Sequence, residues 1–182
     1  IDTSKAKALP GVYAVVTAED IPGSVKVGHL KQDWDTLIPV GEHTRYLGDA
    51  VCLVAAETPE LVEEAKKLVE VVYEELPAVF DPMEAMKGGA PLVHKEGNIL
   101  AHEHLVRGDA DEAIKNSAHV VTKEYFTPFT EHAFLEPECA VAVVDREKGE
   151  AVIYSSDQGT YDTQRECSKM LGYPMEKVHV IN

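Results

Sequence analysis

The chain has 182 residues, enough for one ordinary domain or two small ones with an apolar core. Its 45% hydrophobic and 27% charged content is that of a globular protein and excludes disorder as its main state. With 32 acidic against 17 basic side chains the net charge is −15, a field that repels polyanions, so nucleic acid and anionic membranes are poor partners.

Thr3 to Leu9 reads as a short capped turn closed by Pro10-Gly11, and Val12 to Val16 as a buried strand of β-branched and aromatic residues. Thr17-Ala18-Glu19-Asp20 has the form of a capping box, but Pro22-Gly23 limits it to one helical turn. Val25 to Tyr46 is irregular by pattern. The apolar run Ala50 to Ala56 predicts a strand buried on both faces. It is the longest such run and falls far short of the ~20 residues that a bilayer requires. Thr58 as cap, Pro59 at the first helical position and Glu60 beside it predict a helix, whose Leu61, Val62, Ala65, Leu68 and Val69 form one apolar stripe. Glu63 and Lys67 have the spacing of an ion pair on its wet side. A strand over Glu70 to Leu76, ended by Pro77, completes a compact α/β unit.

From Asp81 to Gly108 repeated glycines and prolines interrupt any period, which marks a linker. Asp109 and Glu112 cap a short helix over Ala110 to Ser117, and Val120 to Phe126 reads as a strand. Two apolar runs, Glu138 to Asp145 and Ala151 to Ser155, flank a short charged loop containing Gly149 and predict a hairpin. A helix over Tyr161 to Leu171 follows, stopped by Gly172 and Pro174, and then a strand at Val178 to Asn182. The start at Ile1 without a secretory pattern, and the apolar strand at the end, are expected of a trimmed piece of a longer protein. Cys52, Cys139 and Cys167 are scattered and odd in number, which fits a reducing, cytoplasmic compartment better than a disulfide framework.

The densest polar cluster is Thr130-Glu131-His132-Ala133-Phe134-Leu135-Glu136-Pro137-Glu138. A carboxylate beside an imidazole can share a proton or orient a ligand, whereas a buried carboxylate more often satisfies backbone N–H groups. Pro137 opposes the helical spacing that a metal site at His132 and Glu136 would need. His102 and His104, with His94 nearby, could bind zinc in a standalone interaction module, but lack a further ligand. Ser155-Ser156-Asp157-Gln158-Gly159 lies between a strand and a helix, where N–H groups can meet an anion; a plain turn with a helix cap is the stronger reading. No nucleotide fingerprint, GxSxG elbow or HExxH motif occurs.

Several strings together resemble the large molybdopterin-binding subunit of the xanthine dehydrogenase and aldehyde oxidase family. Ala8-Leu9-Pro10-Gly11-Val12 with Val15 to Gly23 is similar to the opening of that family's a/b hammerhead domain. Arg45-Tyr46-Leu47-Gly48-Asp49-Ala50-Val51 and Val71 to Val79 resemble its central and closing strands. Gly97-Asn98, Gly108-Asp109, Thr127-Pro128, Glu131-His132, Leu135 to Glu138, Ser155-Ser156 with Gln158, and Leu171-Gly172 resemble the entry to the cofactor-binding domain.

The resemblance implies an α+β chain: an a/b hammerhead-like α/β domain over residues 1–82, a linker over 83–108, and the first part of a mixed α+β molybdopterin-binding domain over 109–182. For the parent enzyme it implies hydroxylation of a small molecule, an N-heterocycle such as a purine, with water-derived oxygen at a molybdopterin-molybdenum centre. Electrons then leave through [2Fe-2S] clusters and FAD on partner subunits or domains. An aldehyde or carbon monoxide hydroxylase of the same family is the alternative. Thr130, Glu131 and His132 are the implied neighbours of the cofactor, in a positioning role and not as acid or base. Family members usually carry a glutamine where this chain has Thr130, and a hydroxyl reaches less far. The family's Gly-Gly-Phe-Gly-Gly loop and glutamate base are not in this sequence, so the piece by itself is expected to be inactive.

Overall fold

The computed structural model describes residues 1–131 and 138–182. The chain divides into two compact units: Ile1–Glu74 together with Glu136–Asn182, and Glu75–Leu135. Helices and strands are mixed in an α+β arrangement. Among the described residues no helix is long and apolar enough to cross a membrane.

In the first unit, α1 (Ser4–Lys7) leads into β1 (Val12–Val16), which pairs antiparallel with β4 (Leu53–Ala56). The helix α2 (Pro59–Lys67) starts as its sequence dictates: the Leu61 N–H donates to Thr58 Oγ1 at 3.2 Å, and Pro59 occupies the first turn. Ala6, Val15 and Ala65 are buried together, with Leu9, Val12, Cys52, Val54, Leu68 and Val69 packed around them. The capping box at Thr17 and Asp20 forms, over a single 3₁₀ turn at Ala18–Asp20.

Three expectations change here. β4 is shorter than the run Ala50 to Ala56 and is buried on one side only, with Leu53 57% exposed, because it is covered from one face and has one strand neighbour. Glu63 pairs with Lys66 at 2.8 Å, one residue nearer than the expected Lys67. Residues 71 to 76 form no strand; Asp2 and Glu70 make an isolated bridge, and an apolar alternation without a partner strand has no ladder to join.

The stretch 25–46, irregular by pattern, holds a short ladder of β2 (Lys26–Val27) with β3 (Trp34–Asp35). The Asp35 side chain is 1% exposed and lies between Lys26 Nζ at 2.6 Å and an Arg45 guanidinium nitrogen at 3.5 Å. A buried carboxylate is tolerable only when cations and donors replace its water in this way.

The second half of the unit is a three-stranded sheet. β5 (Ala140–Asp145) and β6 (Glu150–Ser155) make the expected hairpin, with the Glu147 and Lys148 N–H groups donating to Asp145 Oδ1 at 3.1 Å. α5 (Thr160–Leu171) then carries the chain over to β7 (Val178–Ile181), which pairs parallel to β6. A parallel neighbour cannot be reached through a tight turn, so the helix is required as a crossover. Gly172 ends α5 in the left-handed region at φ 68°, where a side chain would be strained. Ile153, Val178 and Val180 form the core beneath α5 with Cys167 and Tyr173.

The two halves of this unit meet at α5. The N–H groups of Gly23 and Ser24 donate to the carbonyls of Met170 and Lys169 at 2.9 and 3.0 Å, which satisfies acceptors that the end of a helix leaves open. Gln32 adds side-chain bonds to Glu166 and Lys169, and His29 Nδ1 lies 3.2 Å from Asp162.

The second unit contains α3 (Pro82–Ala85), capped by Asp81 Oδ1 on the Met83 and Glu84 N–H groups, and α4 (Ala110–Lys115), capped by Asp109 on the Glu112 N–H. Asn98 fastens the turns before it. Its amide donates to the carbonyls of Ala85 and Pro91 at 3.0 and 2.8 Å, and its oxygen accepts from the Val93 N–H at 2.7 Å. Val120 to Phe126 form no strand, and every residue from 99 to 131 is exposed.

A Cβ on Gly23 would lie 1.8 Å from the Lys169 carbonyl oxygen, so Gly23→Ala must part the loop from α5. We expect it to cost about 1–3 kcal/mol in urea denaturation, as overpacking does elsewhere. Gly88→Ala, facing open space, should change stability by less than about 0.5 kcal/mol.

Candidate cofactor-facing segment

Thr130 and Glu131 are exposed at the end of the long irregular stretch. The Thr130 hydroxyl donates to the Pro128 carbonyl at 3.2 Å, which turns the chain locally and leaves its oxygen able to accept a bond. His132, with Ala133 to Pro137, lies outside the described residues, so the sequence cluster is seen only at Thr130, Glu131 and Glu138.

The other polar motif, Ser155 to Gly159, is built around Asp157. Its Oδ2 accepts from the hydroxyls of Ser155 at 2.6 Å and Thr163 at 2.7 Å, and its Oδ1 accepts from the Gly159 N–H at 2.7 Å. The Asn182 side-chain amide donates to the Asp157 carbonyl at 2.7 Å. Asp157, through its carboxylate and its carbonyl, thus ties the end of β6, the first turn of α5 and the residue after β7. The Ser155 hydroxyl, then that of Thr163, hold the Asp157 carboxyl at about 2, well below its ordinary 3.8, against the opposing effect of desolvation. The position an anion would take at the start of this helix is filled by the chain's own carboxylate, in agreement with the plain-turn reading. Gln158 stands exposed on this turn.

His94, His102 and His104 do not come together around a metal position; among the described residues no group of three or more His, Cys, Asp or Glu does so. Burial pushes the Cys52 and Cys167 thiols up, which makes both poor nucleophiles. The Asp35 cluster with Lys26 and Arg45 has no motif in the sequence; a lone acid within a loop carries no signal of burial. Asp157 could have been singled out, since an Asp two residues before a Gly at a helix start is the pattern of a side-chain turn.

Among the hollows are one of about 250 Å³ lined by Met86, Leu92, Asn98 and Ile99, and another of about 430 Å³ along β1 between Lys7 and Asp20. Neither is lined by Thr130 or Glu131.

Residues 1–77 match the family model described as the aldehyde oxidase and xanthine dehydrogenase a/b hammerhead domain, and residues 93–182 that of the molybdopterin cofactor-binding domain. The chain is 38% identical to the nicotinate dehydrogenase large molybdopterin subunit of Eubacterium barkeri, over all of this chain and 42% of that protein. It is 34% identical to a probable xanthine dehydrogenase subunit of Bacillus subtilis, over 99% of this chain and 24% of that one. Its fold resembles the aldehyde oxidoreductase of Desulfovibrio gigas, with a TM-score of 0.81 and 24% identity over 99% of this chain and 21% of that chain. Fold and matches together define an a/b hammerhead domain followed by a molybdopterin cofactor-binding domain. The chain belongs to the xanthine dehydrogenase and aldehyde oxidase family, and it spans less than half the length of these relatives.

An exposed hydroxyl oxygen and an exposed backbone at 128–131 can meet hydrogen-bonding edges of a pterin, whereas a cage needs donors from several loops around it.

Asp157→Asn should lower the melting temperature at neutral pH, because an ionised carboxylate is what the hydroxyls stabilise. A folded value below the unfolded one makes this contribution complete above about pH 4 and lost as the pH falls toward 2. The gap between wild type and variant in thermal melts should therefore close across that interval.

Proposed function

We propose that this chain is the hammerhead domain and the first part of the molybdopterin domain of a molybdenum hydroxylase that acts on an N-heterocycle. The observation that carries the reading is the pairing of the two domain models, in family order, along one chain. The substrate class is supported by the names of the relatives at 38% and 34% identity, a nicotinate and a probable xanthine dehydrogenase. Nicotinate and xanthine are both nitrogen heterocycles, and a purine remains the leading choice.

When bound, the molybdopterin-molybdenum group supplies the redox chemistry that places a water-derived oxygen on the substrate carbon. This chain contributes position. Thr130 and Glu131 face the cofactor's side of the complete protein, with His132 next in sequence, and the short Thr130 hydroxyl accepts or donates one bond where a longer amide would reach further. The Asp157 turn holds β6, α5 and residue 182 in fixed relation, so that the polypeptide on either side is presented without play. Iron–sulfur and FAD subunits or domains are the electron-accepting partners of the complete enzyme.

Purified complete protein should contain about one molybdenum per chain and oxidise a purine or nicotinate in preference to an aldehyde or carbon monoxide, with the 182-residue piece doing neither. Preference for an aldehyde would reject the substrate class, and stoichiometric molybdenum in the piece would reject the need for further loops. Thr130→Ala in the complete protein should lower kcat/KM by up to about tenfold, the worth of one hydrogen bond.

A further inference from the structure

We draw no further inference here: the strongest candidate, the surface patch of Trp34, Tyr46 and Leu47 where β3 meets the turn at 46–49, is an exposed apolar face, and nothing in the structure shows what covers it.

Discussion

Two backbone hydrogen bonds join the hammerhead part of the chain to the sheet that follows it. Gly23 and Ser24 place their N–H groups on the Met170 and Lys169 carbonyls, where α5 has run out of internal donors. Because helix ends must find partners somewhere, the loop after the 3₁₀ turn at Ala18–Asp20 and the end of α5 each resolve the other's deficit. The approach is close enough that only a residue without a side chain fits. Polar contacts from His29 and Gln32 then set the loop along the helix, and Asp35, sealed beneath Lys26 and Arg45, braces the short ladder from which that loop projects.

Asp157 works in a comparable way at the opposite end of the same helix. It replaces water and free N–H groups with four partners from three elements, so the turn after β6 is set by charge and hydrogen bonding and not by packing. Both ends of α5 are thereby fixed by polar contacts, while its middle covers Ile153, Val178 and Val180. The residues from 99 to 131 have no comparable support: their apolar side chains, Leu105, Tyr125 and Phe129 among them, are exposed. Their burial belongs to contacts that this length of chain does not supply.

This division explains what could be read from the residues. The helices α2, α4 and α5 were legible because their signals are local: Thr58-Pro59, Asp109 with Glu112, and Gly172 with Pro174 each satisfy or end a helix within a turn of themselves, whereas α3, capped by Asp81, lies in the stretch that reads as a linker. The hairpin was legible for the same reason. The strands expected at 70–76 and 120–126 failed because alternation states only which side is apolar; the hydrogen-bonding neighbour must come from elsewhere. The long run before β4 misled in another way, since apolar residues on both sides do not create two covering layers. For the site, the bare residues gave only a dense polar cluster at Thr130 to Glu138, and its relation to a cofactor came from family likeness. Asp35 was beyond reach, as its burial depends on Lys26 and Arg45 being brought to it.

The order of the sheet also bears on how the chain acquires its shape. β5 and β6 are joined by a four-residue turn and can zip within microseconds of leaving the ribosome, whereas β7 must wait until α5 has formed and swung it into parallel register. During that interval a hairpin with largely apolar strands stands alone with both edges open. Until β7 docks, such open edges are the part of the chain most exposed to association.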